Sequence, residues 1–142
     1  MNIAQYTKAA SLEEAWELNQ KRSAVVLGGC CWLRLSPQRR IAQAIDLSAL
    51  GLDQIEEGED SFRLGAMVTL GQLEGHDGLA AFTQGAMKEA VRHIVGTQFR
   101  NMATVGGSIS GRSWPWMPRS NCTRAASSAW PISVRPGRGK TS

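Results

Sequence analysis

All twelve Asp and Glu residues of this 142-residue chain lie before Arg112. Residues 1–111 set ten Lys and Arg against those twelve acids, whereas residues 112–142 carry six Lys and Arg and no acid. The same tail holds four of the five prolines and three of the five tryptophans. A segment with charge of one sign, clustered proline and no sustained apolar periodicity cannot bury enough surface to offset the entropy of ordering it. The break at Arg112 therefore confines the expected folding unit to residues 1–111, a length that suits one domain with one core, and residues 112–142 are expected to be a disordered basic tail.

Within that limit the composition is ordinary, with 42% hydrophobic and 20% charged residues. No apolar run approaches the roughly 18 residues that a membrane span needs. The opening MNIAQYTKAASLEEAW lacks the apolar region of a secretory leader. Three cysteines, Cys30 and Cys31 adjacent and Cys122 in the tail, form neither a disulfide framework nor a zinc-ligand spacing, so a reducing cytoplasm is expected. His76 and His93 have no partners at metal-ligand spacing, and no metal site is expected.

Local signals alternate between helix and strand. Ser11-Leu-Glu-Glu14 reads as a capping box that starts a short helix over residues 12–20. Ala24-Val-Val-Leu27 is a brief apolar strand stopped by Gly28-Gly29, and Ala44-Ile-Asp-Leu47 is a second strand. Gly58-Glu-Asp60 between two short extended runs predicts a hairpin, and Thr69 caps a helical turn through Leu73. Leu79, Phe82, Ala86, Ala90 and Ile94 fall at helical spacing and predict one helix over 79–94. The sum is an α/β or α+β domain.

Two glycine pairs carry the chemistry. Glycine tolerates positive φ and close backbone approach, and successive amides in such turns make concave anion sites. VVLGGCCWL places one pair directly after a strand, and ATVGGSI supplies another beside the Thr104 and Ser108 hydroxyls. Two such turns can hold a pyrophosphate, although each pair alone is more often only a tight turn. Neither matches the G-x-G-x-x-G fingerprint of a Rossmann site. The terminal GRGKTS has Val134 where a P-loop needs glycine, and neither strand nor helix frames it.

The ordered succession SLEEAWEL, VVLGGCCWL, AIDLSALGLDQIE, RLGAMVTLGQLE and HIVGTQFRNMATVGGSI resembles the FAD-binding (medium) subunits of molybdenum hydroxylases of the xanthine dehydrogenase and carbon monoxide dehydrogenase type. The likeness covers nearly all of residues 1–111. It implies the N-terminal part of a two-subdomain FAD-binding domain of the molybdopterin dehydrogenase type, with FAD lying between the two parts. It also implies an oxidoreductase that takes electrons from a molybdopterin subunit through an iron–sulfur subunit and passes them to NAD or another acceptor, with no nucleic acid and no membrane. By position, Leu27, Gly28, Gly29, Cys30 and Cys31 wrap the FAD pyrophosphate. Thr104, Val105, Gly106, Gly107 and Ser108 form a second flavin-contacting loop, and Ile94 lies near the isoalloxazine ring. No catalytic acid or base is implied, since the redox chemistry belongs to the cofactor. Members of the family carry Thr or His, then Asp or Ser, where this chain has Cys30 and Cys31. Backbone contacts survive that change, and the pair reads as small half-buried residues rather than as a redox couple.

After Gly111 the resemblance expects a short acidic stretch and then a strand, but the chain reads SWPWMPRSNC. Trp and Met have single codons, so part of the coding DNA can be rebuilt. Read from third codon positions, Trp114–Pro115 gives Ala, Trp116–Met117 gives Asp, Met117–Pro118 gives Ala and Asn121–Cys122 gives Leu. That frame reads apolar-Ala-apolar-Asp-Ala-small-apolar-polar-Leu, the strand the resemblance expects, so residues 112–142 read as an out-of-frame product and the function as impaired by truncation of the flavin domain. The competing readings are a basic linker and a nucleic-acid-binding arm in which Arg contacts phosphates and Trp stacks on bases.

Overall fold

The computed structural model describes residues 2–21, 23–34, 40–110 and 132–134. Three parallel strands form the first layer: β1 (Asn2–Lys8), β2 (Ala24–Leu27) and β3 (Arg40–Asp46), in the order β1-β3-β2. β3 takes the centre because its side chains are apolar enough to be covered, with Ile41, Ala44 and Ile45 buried. The β1 register sets Ile3 against Ile41 and Tyr6 against Ala44, and Val25 of β2 pairs with Ala44 from the other side. Between β1 and β2 lies helix α1 (Leu12–Asn19), which buries Ala15. Its Ser11 hydroxyl accepts from the Glu14 amide, as the sequence predicts, while the Glu14 carboxylate reaches one residue further back, to the Ala10 amide at 2.7 Å.

A one-turn helix α2 (Cys31–Arg34) comes after the first glycine pair. The predicted hairpin is present as β4 (Ile55–Glu57) and β5 (Phe62–Leu64), closed by the Gly58 amide donating to the Ser61 carbonyl. Helix α3 (Leu70–Gly75) has a complete capping box between Thr69 and Gln72.

The single helix predicted over 79–94 is two helices, α4 (Asp77–Phe82) and α5 (Ala86–Arg92). Gln84 and Gly85 between them have φ of 52° and 80°, a left-handed turn that no α-helix contains. The apolar spacing runs through the break because both helices pack on one core: Leu79, Met87 and Val91 are buried with Leu64, Val68, Leu70 and Leu73. Two further short helices, α6 (Thr97–Met102) and α7 (Val105–Ser110), end the main unit.

The tail expected over 112–142 lies outside the described residues except for Ile132–Val134. These form β6, antiparallel to β5, with Phe62 opposite Val134 and Leu64 opposite Ile132. The tail's composition predicts no such element. The GRGKTS segment also lies outside the described residues.

Candidate functional site

The two glycine pairs, 78 residues apart in sequence, meet in space. A Cβ added to Gly107 would stand 2.7 Å from the Gly28 carbonyl oxygen and 3.0 Å from Thr104 Oγ1. A Cβ on Gly28 would stand 2.9 Å from that same Thr104 hydroxyl. Gly107 is therefore required by backbone packed against backbone, and Gly28 by the Thr104 hydroxyl lying against it. Gly106 is held likewise, since its Cβ would come within 2.8 Å of the Ala66 carbonyl oxygen.

The first pair forms an open turn at the C-terminal end of β2. Gly29 has φ of 65° and Cys30 φ of 59°, so two successive residues are left-handed. Cys30 makes this an unusual turn, because a Cβ disfavours that conformation. A Cβ on Gly29 would overlap the Met102 carbonyl at the end of α6. Among the described residues, the amides of Gly28, Gly29 and Cys30 donate to no acceptor. Three consecutive unpartnered N–H groups in a left-handed turn are the concave donor set that binds phosphate oxygens. Arg34, one helical turn on, adds positive charge beside Cys30 and Cys31. Its contribution is not announced by any motif, because it acts by position after a turn.

The second pair differs from the sequence expectation. Thr104–Ser108 is the start of helix α7 and not an open loop. The Val105 amide donates to the Val68 carbonyl, Gly106 to Ala66, Gly107 to the Thr104 hydroxyl at 3.2 Å and Ser108 to the Thr104 carbonyl. Thr104, Val105 and Ser108 are buried. This segment buttresses the first turn, while the unengaged amides belong to Gly28, Gly29 and Cys30. Leu27 ends β2 beside Asp46 of β3, and Cys31 opens α2 and packs against the core.

Burial pushes the Cys30 thiol above its ordinary pKa, aided by neighbouring Cys31 and Asp46, and burial likewise raises that of Cys31. Thiols so placed are poor nucleophiles near neutrality, in keeping with a packing role.

Arg100 is 7% exposed and anchors the approach to this region. Its guanidinium donates to Glu74 at 2.7 Å, to the carbonyls of Ile94 and Val95 at 3.3 and 3.0 Å, and to Thr97 Oγ1. His76 caps α4 through Nδ1 and lies 3.5 Å from Glu57, and His93 meets Glu89. Among the described residues no cluster of His, Cys, Asp or Glu could hold a metal ion, and no helix is long and apolar enough to cross a membrane. Cavities of about 480 and 250 Å³ lie at the edge of the parallel sheet and between residues 47–53 and 67–72, and neither is lined by the glycine turns.

Three parallel strands, a left-handed turn with free amides after β2 and a second glycine-bearing segment packed behind it make an α/β domain that lacks the Rossmann fingerprint. Residues 2–133 match the FAD binding domain in molybdopterin dehydrogenase, and the chain belongs to that family. The match continues past the compositional break at Arg112.

The chain is 34% identical over 120 residues to the nicotine 6-hydroxylase medium subunit of Paenarthrobacter nicotinovorans, and 33% identical over 113 residues to the uncharacterized protein YgfM of Escherichia coli K12. In both cases 78% of this chain aligns with 42% of the relative, so the chain spans less than half the length of these relatives. Its fold matches a Cu,Mo-CO dehydrogenase with a TM-score of 0.69 at 25% identity, covering 78% of this chain and 40% of that one. Quinoline 2-oxidoreductase from Pseudomonas putida 86 matches in fold with the same TM-score and the same coverage at 22% identity.

Proposed function

We propose that this chain is the leading part of an FAD-binding electron-transfer subunit of a molybdenum hydroxylase, with the FAD pyrophosphate seated on the Gly28–Cys30 amides. The run of three unpartnered amides in a left-handed turn carries this reading. Hydrogen bonds from amides to a charged phosphate are worth about 1.5–3 kcal/mol each, and Arg34 adds attraction without occupying a donor. Leu27 and Cys31 fix the two ends of the turn. Thr104, Val105, Gly106, Gly107 and Ser108 hold it from behind, in contact with the site through the Gly107–Gly28 approach and the Thr104 hydroxyl.

When bound, FAD supplies the change from one-electron to two-electron transfer that such a relay needs. The chain's own residues bind and orient it. No side chain at the turn is placed as a proton donor or acceptor, and none is assigned that role. The relatives named as a Cu,Mo-CO dehydrogenase and a nicotine 6-hydroxylase medium subunit support an oxidoreductase subunit that assembles with other subunits. We take those subunits to be an iron–sulfur protein and a molybdopterin-binding protein in the cytoplasm, with NAD or another acceptor downstream. We place the domain proper in residues 1–111 and take residues 112–142 as an addition foreign to it.

Because relatives extend well beyond this chain, FAD binding is expected to be weak, with Kd on the order of 100 µM, or about −5.5 kcal/mol. Titration of FAD with the purified chain, monitored by flavin fluorescence and absorbance, tests this. No saturable change at millimolar chain would remove the Gly28–Cys30 amides as a phosphate seat that works alone, and micromolar or tighter binding would overturn the reading of a truncated flavin domain.

A further inference from the structure

Strand β1 is an edge left open. It ends the order β1-β3-β2, so one side of its backbone pairs with β3 and the other meets no strand among the described residues. Natural edge strands are kept from pairing by proline, bulges, short length or charges in mid-strand. β1 has none of these. It is seven residues long, reads NIAQYTK, keeps a constant register with β3 from Asn2 to Lys8, and carries its only charge at the last position.

Apolar side chains gather on the same flank. Of the seven large apolar residues left exposed among the described residues, Ile3, Tyr6, Leu12 and Trp16 all belong to β1 and α1. Helix α1 packs over β2 and β3, with Ala15 and Leu18 toward the core. Leu12 and Trp16, four residues apart, share the flank of α1 that turns away from Leu18. In a right-handed β1-α1-β2 crossover that flank overhangs β1. Ile3, Gln5 and Thr7 lie on the α1 side of the sheet with Ile45, and Ala4 and Tyr6 lie on the other.

The pattern is self-complementary. A two-fold axis through Gln5, normal to the sheet, lays β1 antiparallel to β1 of a second copy and pairs all seven residues. Tyr6 then faces Ala4 of the second copy, a ring opposite a methyl, and Thr7 faces its Ile3 beneath the overhanging Trp16. Lys8 faces Asn2, so no like charges meet. The exposed parts of the four apolar side chains amount to roughly 400 Å² on each copy. The backbone edge of β1 adds to that and brings each copy toward the ~800 Å² of a stable interface.

We propose that β1 and the overhanging flank of α1 are the interface of a symmetric homodimer, which joins two three-stranded sheets into one continuous sheet. An interface at the small end of the stable range sets its Kd on the order of 50 µM. The dimer does not depend on the FAD reading, because the Gly28–Cys30 turn follows β2 at the opposite edge of the sheet.

Sedimentation velocity of the 142-residue chain over about 5–500 µM reads the monomer–dimer equilibrium. Gln5 is exposed, and Gln5→Lys and Gln5→Glu each set like charges face to face on the axis. Each is expected to weaken the dimer about tenfold while leaving the circular dichroism spectrum unchanged. An equimolar mixture of the two variants is expected to recover a dimer at least as tight as wild type, since opposite charges then meet. Trp16→Gln is expected to weaken the dimer about fivefold. A wild-type chain that stays monomeric at the highest concentration overturns the proposal and leaves the open edge to another partner. A dimer indifferent to both Gln5 substitutions, or a mixture that stays monomeric, overturns it too, because the contact then lies on another face or in another register.

Discussion

Replacing Gly107 by Ala measures the meeting of the two glycine pairs directly, because helix propensity and packing predict opposite signs. Gly107 lies inside α7, and on propensity alone Gly→Ala within a helix stabilises by about 1 kcal/mol. Against that, the new methyl would stand 2.7 Å from the Gly28 carbonyl oxygen. That contact is about 0.5 Å too close, and the neighbour is backbone that cannot rotate aside. Inserting a methyl into such a contact costs about 1–3 kcal/mol, so the net effect is a loss of up to about 2 kcal/mol. Gly75→Ala is the control, at the end of α3 with no atom within 4 Å of the added Cβ, where a neutral or slightly stabilising effect is expected. The two variants should differ by about 2 kcal/mol, or about 8–16 °C in Tm by circular dichroism for a unit of this size. Gly107→Ala unfolding at or above the Tm of Gly75→Ala would refute the close approach on which the site depends.

Thr104→Val removes the buried acceptor of the Gly107 amide and should lower stability by about 1 kcal/mol in urea denaturation. Cys30 and Cys31, with thiols raised by burial, should alkylate with iodoacetamide more slowly than a small-molecule thiol at pH 8, and a faster rate would mark them as reactive. The Tyr6 hydroxyl donates to Asp46, which raises its pKa, so its stabilising contribution is present below about pH 10 and lost as pH rises through the higher folded value. Tyr6→Phe should remove that alkaline dependence in thermal melts between pH 8 and 11.

The elements legible in the sequence are those fixed by local chemistry. Ser11 and Thr69 each start a helix because a hydroxyl accepts from an amide three residues on, and Gly58 closes a hairpin for equally local reasons. β1 gives no such signal, because its residues are mostly exposed and show no apolar alternation, so pairing with β3 defines it and no pattern of its own does. The helix expected through Gln84 and Gly85 fails for the converse reason, since shared burial keeps the period while the backbone breaks it.

At the site, both glycine pairs stand out in the sequence and their order points to the flavin family, but only the first is a turn, since the second lies in α7. Which amides stay unengaged is not visible. That depends on Val68 and Ala66 carbonyls arriving from another segment to satisfy Val105 and Gly106. Arg100 likewise gives a signal only as part of a loop motif, and its hold on Ile94 and Val95 needs the fold.

The Gly28–Cys30 amides are the proposed phosphate seat, and a titration of the 15N-labelled chain with FAD reads them one by one. The amides of Gly28, Gly29 and Cys30 should show the largest shifts, saturating with Kd on the order of 100 µM. Those of Val105 to Ser108, already bonded within the chain, should move less. Shifts confined to other segments, or none at several millimolar FAD, would contradict it.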